Sequence, residues 1–208
     1  LGGSLRNPAS FCNIVGFRPS IGRMPNTRGF SWLARMGTAG PMAKTVADTA
    51  LLFSVQAGPD LGDPLTLPES GDTFLDALVA PDNLTGLNIA YSPDLYGLPI
   101  ASEVATVIAA SADIFANLGA SITQTQPDLS QAMSVFQTQR AASLATLGNS
   151  LDHTLPDWKQ HAKDTAVWNI EKGQALSGGE ILQSELIRSQ IYRQVAEFFE
   201  HYDALILP

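Results

Sequence analysis

The sequence predicts an α/β protein with a mixed, largely parallel sheet flanked by helices, and three consecutive stretches carry that expectation. Leu87-Asn88-Ile89-Ala90-Tyr91 reads as a short strand, Ser102 to Leu118 as an apolar-striped helix, and Ser121-Ile122-Thr123-Gln124-Thr125 as a second strand. Strand, helix and strand within about forty residues form a crossover unit, which sets the two strands parallel.

The remaining elements follow in chain order. From Ile14 to Arg35 the chain is broken by Gly and Pro, notably Gly16-Phe17-Arg18-Pro19-Ser20-Ile21-Gly22-Arg23-Met24-Pro25, which suits an ordered loop of the kind that lines sites. Thr45-Val46-Ala47-Asp48 has capping-box spacing, so a helix should follow, with Val46, Ala50, Leu51 and Val55 at helical spacing and Gly58-Pro59 as its stop. Asp60 to Asp72 reads as a surface connection in which Asp60, Asp63 and Asp72 are favoured for backbone bonding rather than for acid-base chemistry, before a short helix at Thr73 to Val79. Ser102 is placed to cap the crossover helix, which carries Val104, Val107, Ile108, Ala112, Phe115 and Leu118 and ends at Gly119. Further helices are expected from Ser130 to Leu147, from Asp157 to Lys172 and from Gly178 to Glu200, the last opened by a second capping box at Ser177 to Glu180. Ala204 to Leu207 reads as a buried strand.

Twelve basic against twenty acidic side chains give a net charge of -8, which argues against nucleic acid, because phosphate binding relies on Lys and Arg. With 45% hydrophobic residues in 208, the chain can bury a substantial core, and one domain is expected. No apolar run is long enough to span a bilayer, and the start lacks the layout of a signal peptide. Cys12 is the single cysteine, so no internal disulfide forms, which fits a reducing, cytoplasmic compartment. Both ends read as cut through structure: Leu1 enters directly on a Gly-Gly pair, and the chain stops in the strand Ala204 to Leu207.

Candidate chemistry concentrates at the head of the chain. In Leu1-Gly2-Gly3-Ser4-Leu5-Arg6 two glycines allow successive N–H groups to converge on one point, a preorganised cradle for an oxyanion if Ser4 attacks a carbonyl. The same tripeptide is common in flexible linkers, so on its own it is a weak signal. His153, His161 and His201 fit no ligand spacing and read as solvated, so no metal is expected. Trp32, Trp158 and Trp168 read as packing residues before pocket residues, and Cys12 as a small structural thiol.

Several separated stretches, in order, resemble the amidase signature family. Gly2-Gly3-Ser4-Leu5-Arg6-Asn7-Pro8-Ala9-Ser10-Phe11-Cys12 is similar to that family's pattern of Gly-Gly-Ser, an aliphatic residue, Arg, a variable position and Pro-Ala. Val15-Gly16-Phe17-Arg18-Pro19-Ser20 and Gly22-Arg23-Met24-Pro25 are similar to its Gly-Leu-Lys-Pro-Thr and Gly-Arg-Val-Pro steps, and Gly40-Pro41-Met42-Ala43-Lys44-Thr45-Val46-Ala47-Asp48 to its Gly-Pro-Met-Ala-Arg-Thr-Val-Ala-Asp. Leu84 to Ala90, Leu118-Gly119-Ala120 and Tyr202 to Pro208 match more diffusely.

The resemblance implies a carboxamide hydrolase with no cofactor and a small-molecule amide as its substrate. Ser4 would be the nucleophile, the backbone N–H groups of Leu1, Gly2, Gly3 and Ser4 the oxyanion hole, and Arg6 a residue that fixes the site loop by pairing with an upstream carboxylate. It further implies a Ser-Ser-Lys triad whose bridging serine and lysine precede this motif. None of Lys44, Lys159, Lys163 and Lys172 matches the lysine's position. Residues 1–208 are therefore expected to be a partial amidase signature domain, lacking N- and C-terminal portions. Two outcomes stand open for the isolated chain: an active amidase, or an inactive fragment whose exposed edges and apolar surface lead it to a homo-oligomer. The glutaminase subunit of a tRNA-dependent amidotransferase is the alternative, ranked second because Arg28 to Ala39 look more like stand-alone amidases.

Overall fold

In the computed structural model, which describes residues 3–27, 36–78, 82–95 and 97–208, the chain begins with a short helix, α1 (Arg6–Cys12). Asn13 turns left-handed at φ 51° and ends it, and the Ile14 N–H returns to the Ala9 carbonyl at 2.9 Å, satisfying a terminal acceptor. β1 (Val15–Gly16) follows and pairs antiparallel with β2 (Met42–Ala43), with Val15 opposite Ala43 and Gly16 opposite Met42. α2 (Val46–Gln56) and the single turn α3 (Thr73–Asp76) complete the first of two compact units, Leu1–Ala80.

The core of this unit is aromatic. Phe53 on α2 is buried, meeting Phe17 edge-on at 5.1 Å between centroids and Phe74 of α3 at 4.7 Å. That choice of face corrects the sequence expectation for α2. Its buried residues are Thr49, Phe53 and Ser54, while Val46, Leu51 and Val55 are exposed, because Phe53 is the side chain that reaches the Phe17 and Phe74 rings. The N-terminal cap is half as predicted: Thr45 Oγ1 accepts from the Asp48 N–H at 3.0 Å, but the Asp48 carboxylate takes the Thr45 hydroxyl at 2.8 Å.

In the second unit, Pro81–Pro208, the crossover is present as read. β3 (Asn88–Tyr91) and β4 (Ser121–Gln124) are parallel, Ile89 opposite Ile122, and α4 (Ser102–Asn117) joins them. The final strand, β5 (Ala204–Ile206), pairs parallel with the other side of β3, giving the order β4-β3-β5. Asp203 fixes that register, its carboxylate accepting the Asn88 N–H at 2.8 Å and its own N–H reaching the Asn88 carbonyl at 2.8 Å. Ser102 is inside α4 rather than its cap: Ala101 takes the cap position and no side chain bonds there. Of the expected apolar stripe on α4 only Ala112 is buried, and Val107 stands 63% exposed.

The helices α5 (Ala132–Thr154), α6 (Trp158–His161), α7 (Asp164–Gln174) and α8 (Gly178–Phe198) lie between β4 and β5 in sequence. α5 runs seven residues beyond the expected end at Leu147, straight through Gly148, because Gly148 lets Ile170 of α7 approach so closely that a Cβ there would sit 2.2 Å from its Cγ2. Tertiary packing outweighs the low helix propensity of glycine at that position. The single helix read from Asp157 to Lys172 is two, broken at an extended Ala162, a break that no Gly or Pro announces. Trp158 is 3% exposed and its Nε1–H donates to Asp152 of α5 at 2.9 Å, so it joins α5 and α6 as a packing residue. Among the described residues no helix is long and apolar enough to cross a membrane.

Removing the Trp158 ring in Trp158→Ala leaves a large hole, so we expect a loss of about 3–5 kcal/mol, read as a lower urea midpoint at unchanged slope. At the start of α8, Ser177 Oγ accepts from the Glu180 N–H at 3.2 Å and the Glu180 carboxylate accepts from the Ser177 N–H at 2.8 Å, a complete capping box. The Ser177 N–H, and after it the Ser177 hydroxyl, hold the Glu180 carboxyl below its ordinary value of 4.5. A depressed carboxyl stabilises the fold above its ordinary value and stops doing so as pH falls through the lowered one. Glu180→Gln should therefore lose part of the pH dependence of stability below about pH 4.5 and leave the rest of the acid-unfolding curve in place.

Candidate active site

Ser4 lies on the turn Gly3–Leu5 that leads into α1, and it is exposed. The turn is tied to the helix by the Asn7 N–H, which reaches the Gly3 carbonyl at 2.8 Å, and by the Ala9 N–H to the Leu5 carbonyl at 3.2 Å. Gly3 has φ +97°, a region where a Cβ is strained, and the Asn7 amide lies 3.2 Å from where that Cβ would be. The turn before Ser4 thus needs glycine for its backbone angle.

Behind the turn the β1–β2 pair approaches without side chains in the way. A Cβ on Gly16 would lie 2.8 Å from the Leu5 carbonyl and 2.7 Å from the Ala9 Cβ, and one on Gly40 would lie 2.0 Å from the Phe17 carbonyl and 3.0 Å from Leu5 Cδ1. Leu5 is therefore clamped from two directions, and its neighbour Ser4 is held at the surface by a rigid backing. Both glycines belong to motifs that the sequence singled out, but their shared contact on Leu5 is visible only in the structure.

Of the other expected site residues, Leu1 and Gly2 lie outside the described residues, so the backbone cradle can be followed only at Gly3 and Ser4. Arg6 is the first residue of α1 and exposed, and it forms no ion pair among the described residues. Cys12 is exposed rather than buried, and free. Trp32 lies outside the described residues, and Trp168 is largely exposed beneath the Lys172 ammonium, 5.0 Å from the ring centroid. The carboxylates at 60 and 63 do backbone work: Asp60 Oδ1 accepts from the Gly62 N–H at 2.8 Å, and Asp63, 1% exposed, accepts from Asn26 N–H at 2.7 Å and Leu65 N–H at 3.0 Å. His153, His161 and His201 are exposed, and no group of three or more His, Cys, Asp or Glu able to hold a metal occurs among the described residues.

A lysine acting as base must shed its proton near neutral pH. Lys159 is held the other way: its hydrogen bond to Glu171 at 2.9 Å, with the charge of that carboxylate, raises its pKa. Lys172 donates to Gln137 Oε1 at 3.4 Å, and Lys44 and Lys163 are exposed. A carboxylate partner thus works against turning the Lys159 ammonium into a base.

The Amidase family model matches residues 1–208, and the chain belongs to that family. It is 28% identical over 213 residues to an acylamidase of Rhodococcus erythropolis, a match covering 99% of this chain and 43% of the relative. Over 121 residues it is 38% identical to a glutamyl-tRNA(Gln) amidotransferase subunit of Marinomonas sp. strain MWYL1, covering 58% of this chain and 24% of that protein. Its fold superposes on a bacterial aryl acylamidase of the amidase signature enzymes with a TM-score of 0.86 at 25% identity, covering 100% of this chain and 44% of the other. The chain spans less than half the length of the curated relatives that it matches from end to end.

The clamp on Leu5 is open to a direct check. Gly40→Ala places a methyl against the Phe17 carbonyl and should cost about 1–3 kcal/mol in thermal or urea unfolding. Gly37→Ala, three residues away with nothing within 4 Å of its Cβ, should stay within about 0.5 kcal/mol of the parent.

Proposed function

We propose that the chain carries the nucleophile of a serine-dependent amidase, which hydrolyses the C–N bond of a small carboxamide to a carboxylate and ammonia or an amine. The observation that carries this is the placement of Ser4 on the clamped Gly3–Leu5 turn of a chain matched along its whole length by the family model. In the proposed reaction Ser4 Oγ adds to the carbonyl carbon as a base takes its proton. The oxyanion forms against the backbone N–H groups of Leu1 through Ser4, the C–N bond breaks with protonation of the leaving nitrogen, and water hydrolyses the resulting acyl-enzyme ester. The base is assigned to a Ser-Ser-Lys triad, the second serine and the lysine being supplied by family segments that precede the nucleophile motif, because none of Lys44, Lys159, Lys163 and Lys172 stands at the position that the family pattern gives the lysine. Residues 1–208 are accordingly proposed to be part of a larger amidase signature domain, with Arg6 bracing the site loop.

A single exposed thiol, Cys12, supports a cytoplasmic setting. Exposed apolar side chains such as Phe11 and Val107 support self-association into a homo-oligomer. A glutaminase subunit of a tRNA-dependent amidotransferase is the second reading, favoured by the 38% identity over 121 residues. It ranks behind a stand-alone amidase, to which the acylamidase match along 99% of the chain points.

Ammonia release from aliphatic, aromatic and amino-acid amides, compared between the larger amidase signature domain that supplies the second serine and the lysine and its Ser4→Ala variant, tests the assignment. Loss of at least roughly a thousandfold in rate is expected on removing the nucleophile. Equal rates in the two proteins would remove Ser4 from the mechanism, and no release from either would reject the amidase reading. Release confined to glutamine and dependent on a second subunit would promote the glutaminase reading.

A further inference from the structure

The Gly3–Leu5 turn is flanked on two sides. Behind it stand Gly16 and Gly40, close to the Leu5 carbonyl and the Leu5 side chain. On its α1 side stands Asn7, whose carboxamide lies against Gly3: Nδ2, Oδ1 and Cγ are 3.2, 3.3 and 3.4 Å from the point that a Gly3 Cβ would take. The Asn7 backbone N–H also binds the Gly3 carbonyl at 2.8 Å. The family pattern leaves this position variable, so the motif assigns Asn7 nothing.

Both Asn7 contacts bear on one peptide group. The Gly3–Ser4 peptide is trans, so its C=O and N–H point in opposite directions. With the Gly3 carbonyl turned toward α1 by the Asn7 N–H, the Ser4 N–H points away from the helix. Gly3 sits at φ +97°, and glycine moves between positive and negative φ at little cost, so a flip of this peptide would turn the Ser4 N–H around. The backbone bond opposes that flip whatever side chain residue 7 carries. The carboxamide opposes it by bulk, because it fills the space beside Gly3 that the glycine leaves open. Resting on the amidase reading above, we infer that Asn7 is a positioning residue of the Ser4 site, its side chain holding the Gly3–Ser4 peptide in the orientation that presents the Ser4 N–H to the oxyanion. The oxyanion develops only as the carbonyl is attacked, so loosening one of its donors costs rate at the chemical step and leaves substrate binding unchanged. Leucine has nearly the outline of asparagine, with methyl groups where Nδ2 and Oδ1 stand, and should hold the peptide equally well.

The test uses the larger amidase signature domain and its Ser4→Ala, Asn7→Ala, Asn7→Leu and Ser10→Ala variants, each checked by thermal melting. Asn7 and Ser10 are exposed on α1, so the melting points of their variants should stay within about 3 °C of the parent. With the amide that the parent hydrolyses fastest, Asn7→Ala is expected to lose roughly tenfold in kcat at a KM within about twofold, less than the loss of about a hundredfold or more that follows removal of a whole oxyanion donor. Asn7→Leu should keep kcat within about twofold of the parent, and Ser10→Ala should match it. Amide order parameters of Gly3 and Ser4 from NMR relaxation give a readout without substrate: about 0.85 in the parent and in Asn7→Leu, falling toward roughly 0.6 in Asn7→Ala. A Ser4-dependent parent whose kcat is unmoved by Asn7→Ala would overturn the role of Asn7 and leave the amidase reading standing. Equal losses in Asn7→Ala and Asn7→Leu, or a change in KM alone, would overturn positioning by bulk. A parent without activity would reject the amidase reading and with it the catalytic role of Asn7, while the order parameters would still decide whether its side chain holds the turn.

Discussion

The close approach of Gly16 and Gly40 to Leu5 is the constraint on which the rest of the first unit turns. Backbone oxygens of Leu5 and Phe17 would lie 2.8 Å and 2.0 Å from side chains at those two positions, so the β1–β2 pair can reach the Ser4 turn only if both are glycine. Once it is there, Phe17 is carried against Phe53, and the aromatic core of the unit and the presentation of Ser4 become consequences of one packing event.

The same economy of position fits the role proposed for Ser4, which is exposed while its support is not. In the proposed reaction Ser4 meets a substrate from solvent, yet the groups around its turn, Ala9, the Leu5 carbonyl and the glycine pair, are half-buried or buried. Base chemistry has the opposite requirement, since an ammonium becomes basic at neutral pH only when desolvated. Lys159 shows the contrast: paired with Glu171 at the surface, it holds its proton more firmly than a free lysine. A nucleophile and its base therefore call for different environments, and the exposed Ser4 turn suits the first.

Much of this was legible from residues alone, and the reasons differ by element. The crossover β3-α4-β4 and the capping box at Ser177 rest on local signals, a change of period and a side chain bonding to a backbone three residues away, which tertiary structure leaves intact. Which face of α2 is buried was not legible. Periodicity favoured Val46, Leu51 and Val55, but the side chain that finds partners is Phe53, whose neighbours Phe17 and Phe74 are distant in sequence. The expected end of α5 at Leu147 failed for a related reason, since Gly148 is the gap into which Ile170 fits and the helix runs on through it. At the site, Ser4 and Gly3 were named from the motif, whereas the clamp on Leu5 and the role of Asp63 as a backbone anchor needed coordinates.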